Sequence, residues 1–117
     1  MAANELTIER EVLTDKGVLV LHLTGYLDAH TFDRFEGSLI DIFEEGHTKI
    51  VIDMGHVEYV SSAGTGVLIG AQSVARREGG DVILMGVTPD VREIFDLLGL
   101  THTFQIFDDI SAALTAF

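Results

Sequence analysis

The sequence contains no cysteine, which excludes disulfide bonds and thiolate metal sites and fits a reducing compartment. Basic residues are scarce: 7 Lys and Arg stand against 19 Asp and Glu, for a formal net charge of −12. A surface of this sign repels phosphate backbones and anionic lipids, so we expect no direct binding of nucleic acid. The acidic surface suits a basic protein partner or serves solubility alone.

Long apolar segments are missing as well. The N-terminal residues include several charges and lack the apolar core of a signal peptide. No apolar stretch approaches the roughly 20 residues that a membrane span needs. We therefore expect a cytoplasmic protein that does not insert into a membrane.

The 117 residues, 47% of them hydrophobic, suffice for one core, so a single domain spanning residues 1–117 is expected. The hydrophobic pattern and the turn residues predict strands at 6–13, 18–24, 49–54, 81–85 and 103–107. Helices are predicted at 29–45, from a start near 62–65 to 78, at 89–98 and at 111–117. The third of these has the clearest start, with Thr88 as its cap and Pro89 as its first residue. The segments 14–17, 25–28 and 55–60 are predicted to be a tight turn, a connector and a loop.

This order of elements predicts an α/β fold. The first two strands form a hairpin, and strands and helices alternate afterwards. Strand–helix–strand crossovers are nearly always right-handed and join parallel strands. We therefore expect an open mixed sheet of about five strands with one antiparallel edge strand and four helices, and with the crossover helices mainly on one face.

The segment 59–68 is the strongest candidate for a functional site. Two adjacent hydroxyls, Ser61 and Ser62, and two glycines, Gly64 and Gly66, open the second predicted helix. The first turn of a helix has unpaired N–H groups and the positive end of the dipole, so it accepts anions. Ser62 has two interpretations here: it caps the helix, or it is an exposed hydroxyl open to modification.

The glycines at 64, 66 and 70 also invite comparison with a dinucleotide-binding turn. In that fold the glycines directly follow a strand, whereas about ten residues separate Asp53 from Gly64 here. The acid that would bind the ribose is missing too, because Leu84 and Met85 end the next predicted strand. We expect no nucleotide or other cofactor.

The remaining polar residues show no catalytic or metal-binding spacing. The five histidines are not spaced as metal ligands, and no serine–histidine–aspartate or paired-carboxylate arrangement is evident. His22 is interpreted as a satisfied polar residue beside the core. Asp28, directly before the first predicted helix, is interpreted as its N-cap or as part of a functional surface at the carboxyl ends of the strands. Asp53, at such a strand end, is likewise interpreted as a local structural residue or as part of that surface. We expect a binding protein without catalytic residues, not an enzyme.

Three segments together resemble the STAS domain, the family of bacterial anti-sigma factor antagonists. The run Gly-Tyr-Leu-Asp at 25–28 is similar to a family signature after the second strand. Residues 52–54 and 57–67 resemble the family's strand, loop and phosphoacceptor helix start. Residues 86–100 resemble its third helix, so the resemblance covers nearly the whole chain.

The resemblance implies a phosphorylation switch. In the family, a serine at the start of the second helix is phosphorylated by a partner anti-sigma factor, which is itself a serine kinase. The unphosphorylated antagonist holds this partner and frees the sigma factor, and a PP2C-like phosphatase resets the cycle. The acceptor position, two residues before the first glycine, corresponds to Ser62. The implied partner-binding surface comprises Asp28, Ser61, Ser62, Gly64, Thr65 and Gly66.

Two positions depart from the family pattern. The family often has an acid before the acceptor and a hydroxyl after it, where this sequence has Ser61 and Ala63. Ser61 is therefore a second-choice phosphorylation site. Other family members are subunits of an ATP-driven lipid transporter or modules of other signalling complexes, and these roles remain the alternative function.

Overall fold

The structure, a computed structural model, describes residues 5–117 and contains nine elements. The strands are β1 Leu6–Leu13, β2 Val18–Leu27, β3 Lys49–Val60, β4 Asp81–Met85 and β5 Ile106–Phe107. The helices are α1 Phe32–Glu44, α2 Ser62–Arg77, α3 Pro89–Leu97 and α4 Ile110–Leu114. Within the described range, no helix has both the length and the apolar character that crossing a bilayer requires.

The five strands form one mixed sheet in the order β1-β2-β3-β4-β5. The pair β1 and β2 is antiparallel, and the other three pairs are parallel. Each parallel crossover moves the chain one strand further in the same direction, so right-handed crossovers place their helices on one side of the sheet. The predicted α/β fold with an N-terminal hairpin is confirmed.

The sheet has an apolar core on each face. On one face, buried residues of the central strands pack with α1, α2 and α3, through side chains such as Phe35, Leu68 and Phe95. On the other face, Val20, Val51 and neighbouring residues pack with α4. Residues 50–52 of β3 and 82–84 of β4 are apolar and buried on both faces because helices cover both sides of the sheet there.

The predicted strands at 18–24 and 49–54 are too short. The observed β2 continues to Leu27 and β3 to Val60, and these two residues are paired. The predicted connector at 25–28 and loop at 55–60 are therefore wrong for most of their length. Two shifts in the register, on either side of 24–25, interrupt the alternation of buried and exposed residues, so the sequence pattern of a strand is lost there.

The predicted helix at 29–45 starts too early, because residues 29–31 form a turn and α1 begins at Phe32. The last predicted strand and helix also differ in their bounds: β5 has only two residues, and α4 ends at Leu114. Phe104, inside the predicted strand, packs in the core instead of pairing with β4. The N-cap and the first-turn proline of α3, Thr88 and Pro89, are as predicted.

Candidate functional site

The N-terminus of α2 lies beside the end of β2. The Ser61 N–H donates to the Leu27 carbonyl at 2.8 Å, directly after the paired residues Leu27 and Val60. Asp28 follows β2, and Ser62 follows β3 and Ser61. Because the two strands are parallel neighbours, Asp28 and Ser62 lie on the same edge of the sheet.

Ser61, not Ser62, caps α2. Ser61 has extended backbone angles, φ −87° and ψ 172°, and its Oγ accepts a hydrogen bond from the Gly64 N–H at 3.2 Å. Ser62 is the first residue of the helix and is exposed. Among residues 5–117, the Ser62 hydroxyl has no protein hydrogen-bond partner. The interpretation of Ser62 as the helix cap is therefore wrong.

The two glycines of the first turns have different roles. A Cβ on Gly64 would lie 2.7 Å from both Cγ and the carbonyl oxygen of Leu27, so the absence of a side chain lets α2 approach β2 closely. A Cβ on Gly66 would meet nothing within 4 Å, and Gly66 is exposed. Packing explains the glycine at 64, whereas nothing in the fold requires the glycine at 66.

Thr65 does not lie on the exposed surface that the sequence suggested. Its exposed fraction is 4%, and its hydroxyl donates to the Ser62 carbonyl at 2.8 Å. Gly64 is buried as well. Of the six residues of the predicted partner-binding surface, Ser62 and Gly66 are exposed and Ser61 is partly exposed.

Asp28 is 6% exposed and holds the turn that precedes α1. Its Oδ1 accepts the His30 N–H at 2.8 Å, and its backbone N–H donates to the Thr31 hydroxyl at 3.0 Å. Thr31 is the N-cap residue of α1 and donates its own hydroxyl to the Tyr26 carbonyl at 2.7 Å. Asp28 therefore closes an Asx turn three residues before the cap, and its predicted role as the N-cap is wrong.

Glu11, His22 and Asp53 form a cluster across three strands that the sequence analysis did not predict. His22 Nδ1 lies 2.7 Å from Asp53 Oδ2, and His22 Nε2 lies 2.9 Å from Glu11 Oε1. Only a protonated imidazole can donate to both carboxylates. The hydrogen bond with Glu11 is the main reason that the pKa of His22 is raised above 6.5, against the effect of partial burial, and Asp53 adds to the rise.

This cluster is separate from the N-terminus of α2. His22 alternates with Leu21 and Leu23, so it lies on the same sheet face as Val20, the face that α4 covers. Asp53 Oδ1 also accepts the Gly55 N–H at 3.0 Å, which gives Asp53 a structural role in β3. Within residues 5–117, no group of three or more His, Cys, Asp or Glu is arranged to hold a metal ion.

Comparison with known proteins agrees with this architecture. The family model of the STAS domain matches residues 9–113. BtrV of Bordetella bronchiseptica, whose name places it among the anti-sigma factor antagonists, is 30% identical over 101 residues, which cover 86% of this chain and 87% of the relative.

Solved structures share the fold. The crystal structure of an anti-sigma factor antagonist from Mycobacterium paratuberculosis has a TM-score of 0.85 at 27% identity, over 98% of this chain and 96% of that one. The phosphorylated form of the Bacillus protein SpoIIAA has a TM-score of 0.71 at 22% identity, over 94% and 98% of the two chains. The chain described here belongs to the STAS domain family, in its group of anti-sigma factor antagonists.

Proposed function

We propose that the unphosphorylated chain binds an anti-sigma factor that is also a serine kinase, and that phosphorylation of Ser62 ends this complex. One observation carries the choice of residue: of the hydroxyls at 61, 62 and 65, only that of Ser62 is both exposed and free of hydrogen bonds within the described chain. The Ser61 hydroxyl caps α2, and that of Thr65 is buried.

The proposed chemistry is a phosphoryl transfer from ATP held by the kinase. The Ser62 oxygen bonds to the γ-phosphorus, the bond to ADP breaks, and the hydroxyl proton passes to a base of the kinase. A PP2C-like phosphatase hydrolyses the ester with water and restores the hydroxyl. In both steps this chain is the substrate and supplies no catalytic residue.

The position of Ser62 suits a phosphate in the free chain. A phosphate adds about −1.5 to −2 charges, and the N-terminus of a helix accepts negative charge through the dipole and the unpaired N–H groups. We therefore expect the fold to persist after phosphorylation. The added charge and bulk act on the partner instead, because they would have to be desolvated at the centre of the interface.

The proposed interface is centred on the edge where β2 and β3 end. Ser62 and Gly66 are its exposed members on α2, and the bare backbone at Gly66 leaves space for a partner atom. Asp28 contributes by holding the adjacent turn against the same edge. A structure of SpoIIAA in its phosphorylated form is known, and this supports testing the present chain for the same modification.

The test combines a pull-down from the native lysate with mass spectrometry of phosphorylation sites, followed by kinase assays on two matched variants. Ser62→Ala is expected to abolish phosphorylation, whereas Ser61→Ala is expected to keep it at a lower melting temperature. Phosphate on Ser61, or full phosphorylation of the Ser62→Ala variant, would contradict the proposal. Capture of a transporter ATPase without phosphate would favour the alternative role as a transporter subunit.

A further inference from the structure

An apolar groove separates the outer surfaces of α1 and α2. Leu39, Ile40 and Phe43 of α1 form one wall, and Val67, Ala71 and Val74 of α2 form the other. The groove has a volume of about 200 Å³. It lies on the side of the sheet that α1, α2 and α3 cover, opposite the face that carries His22.

Exposed apolar side chains lie at and beside this groove. Ile40 is 49% exposed at the groove, and Ile69 on the adjoining surface of α2 is 38% exposed. Gly70 lines the groove, and a Cβ added there would meet nothing within 4 Å. Two exposed branched side chains beside a groove with free space are typical of a site that receives apolar groups of another molecule.

The groove continues from the proposed phosphorylation site. The strands before α1 and α2 are parallel neighbours, so both helices begin at the same edge of the sheet. Gly70 follows Ser62 by eight residues, which is about 12 Å along an α-helix. A partner that covers Ser62 and extends along α2 therefore reaches the groove without leaving the surface.

The charge at the groove selects the chemistry of its occupant. Glu36 is the one charged residue among those that line it. Helix α1 exposes five charged residues, of which four are acidic and one is basic: Asp33, Arg34, Glu36, Asp41 and Glu44. The charges of α2 are Arg76 and Arg77 in its last turn, beyond the residues that line the groove. A groove with apolar walls and a mainly acidic helix on one side matches an amphipathic helix whose apolar face is flanked by Lys or Arg. A second copy of this chain matches poorly, because each copy carries a net charge of −12.

We infer that the groove between α1 and α2 docks a basic amphipathic helix, presented by the protein that binds at Ser62. The identity of that protein rests on the proposed function, whereas the chemistry of the docked helix rests on the groove alone. Docking at this second place gives affinity that does not depend on the phosphorylated residue. It also sets the register in which Ser62 meets the partner.

Two matched glycine variants test the groove. Gly70→Gln places a side chain in the groove, and Gly37→Gln makes the same change on α1 outside the groove. At both positions an added Cβ would meet nothing within 4 Å. Both changes replace a helical glycine by a better helix former, so neither should lower the melting temperature. The design separates loss of binding from loss of folding.

The probe is a fluorescent peptide of about 18 leucines and lysines in helical periodicity, long enough to form a helix on binding. The control peptide has the same composition in shuffled order. The amphipathic peptide is expected to bind and to shift the NMR signals of Ile40 and Gly70. Its affinity should fall about tenfold in Gly70→Gln and stay unchanged in Gly37→Gln.

Three results would overturn the inference: equal binding of the shuffled peptide, equal affinity for the two glycine variants, or signal shifts confined to other surfaces. Sedimentation that shows a dimer lost in Gly70→Gln would assign the groove to a second copy and would also overturn it. Phosphorylation of Ser62 by its kinase with wild-type KM in Gly70→Gln would refute docking by that partner and leave the proposed function standing. A docked peptide without any kinase for Ser62 would refute the proposed function alone.

Discussion

The sharpest prediction concerns the two glycines at the start of α2. Gly64→Ala and Gly66→Ala are the same chemical change two residues apart in one helix. Both gain helix propensity, about 0.5–1 kcal/mol for an alanine in place of a glycine. They differ in what the new methyl group meets, since only the Cβ at 64 would lie 2.7 Å from Leu27 Cγ and the Leu27 carbonyl oxygen.

The magnitude of the difference follows from that contact. Forcing a methyl group into a packed position costs roughly 1–3 kcal/mol, because side chains and backbone must shift. The Leu27 carbonyl is held by the Ser61 N–H at 2.8 Å, so this neighbour cannot move without lengthening a hydrogen bond. Gly66→Ala should therefore be slightly more stable than the wild type, and Gly64→Ala about 1–3 kcal/mol less stable than Gly66→Ala.

The assay is urea denaturation of the three proteins, monitored by circular dichroism. A common slope of the unfolding free energy against urea concentration would confirm that the two-state analysis holds. For a domain of this size, 1 kcal/mol corresponds to a shift in melting temperature of about 4 °C. Equal stability of the two variants would refute the reasoning, because it would mean that α2 does not rest against Leu27 in solution.

Three further predictions test other contacts of the site. Ser61→Ala should lower the free energy of unfolding by about 1 kcal/mol, because it removes the cap of α2. Ser62→Ala should change that free energy by less than about 0.5 kcal/mol. A larger loss of stability in Ser62→Ala than in Ser61→Ala, measured by urea denaturation, would contradict the assignment of the cap. The raised pKa of His22 means that its stabilisation is present below pH 6.5 and is lost as the pH rises through the pKa of the folded state. The stability advantage of the wild type over His22→Gln should therefore shrink as the pH rises from about 6 through the pKa of His22 in the folded state. The loss should be less than about 1 kcal/mol because the cluster is partly exposed to solvent, and a constant difference would contradict the bridge. Asp28→Asn keeps an oxygen that can accept from the His30 N–H, so the melting temperature should change little, and a loss of partner affinity measured by calorimetry would show that the charge itself serves binding.

Local signals predicted most of the fold correctly. The hairpin follows from the turn at 14–17, and the start of α3 follows from Thr88 and Pro89, which occupy the cap and the first turn as expected. These features depend on residues close together in sequence. The full length of β3 was not predictable from the sequence. Its buried residues Val57 and Val60 lie three positions apart, whereas a regular strand buries every second residue. The register shifts between β2 and β3 make this spacing compatible with a strand.

The composition and short-range patterns of the sequence determined the fold class, the family and the segment that carries the candidate site, because periodicity, turns and motifs are local properties. Only the tertiary structure decided between neighbouring residues within that segment. Ser61 caps α2 because its backbone is hydrogen-bonded to Leu27, more than thirty residues earlier, and this places Ser62 on the surface. Likewise, the cluster around His22 and the groove between α1 and α2 depend on strand register and helix packing, which bring together residues that no sequence spacing connects.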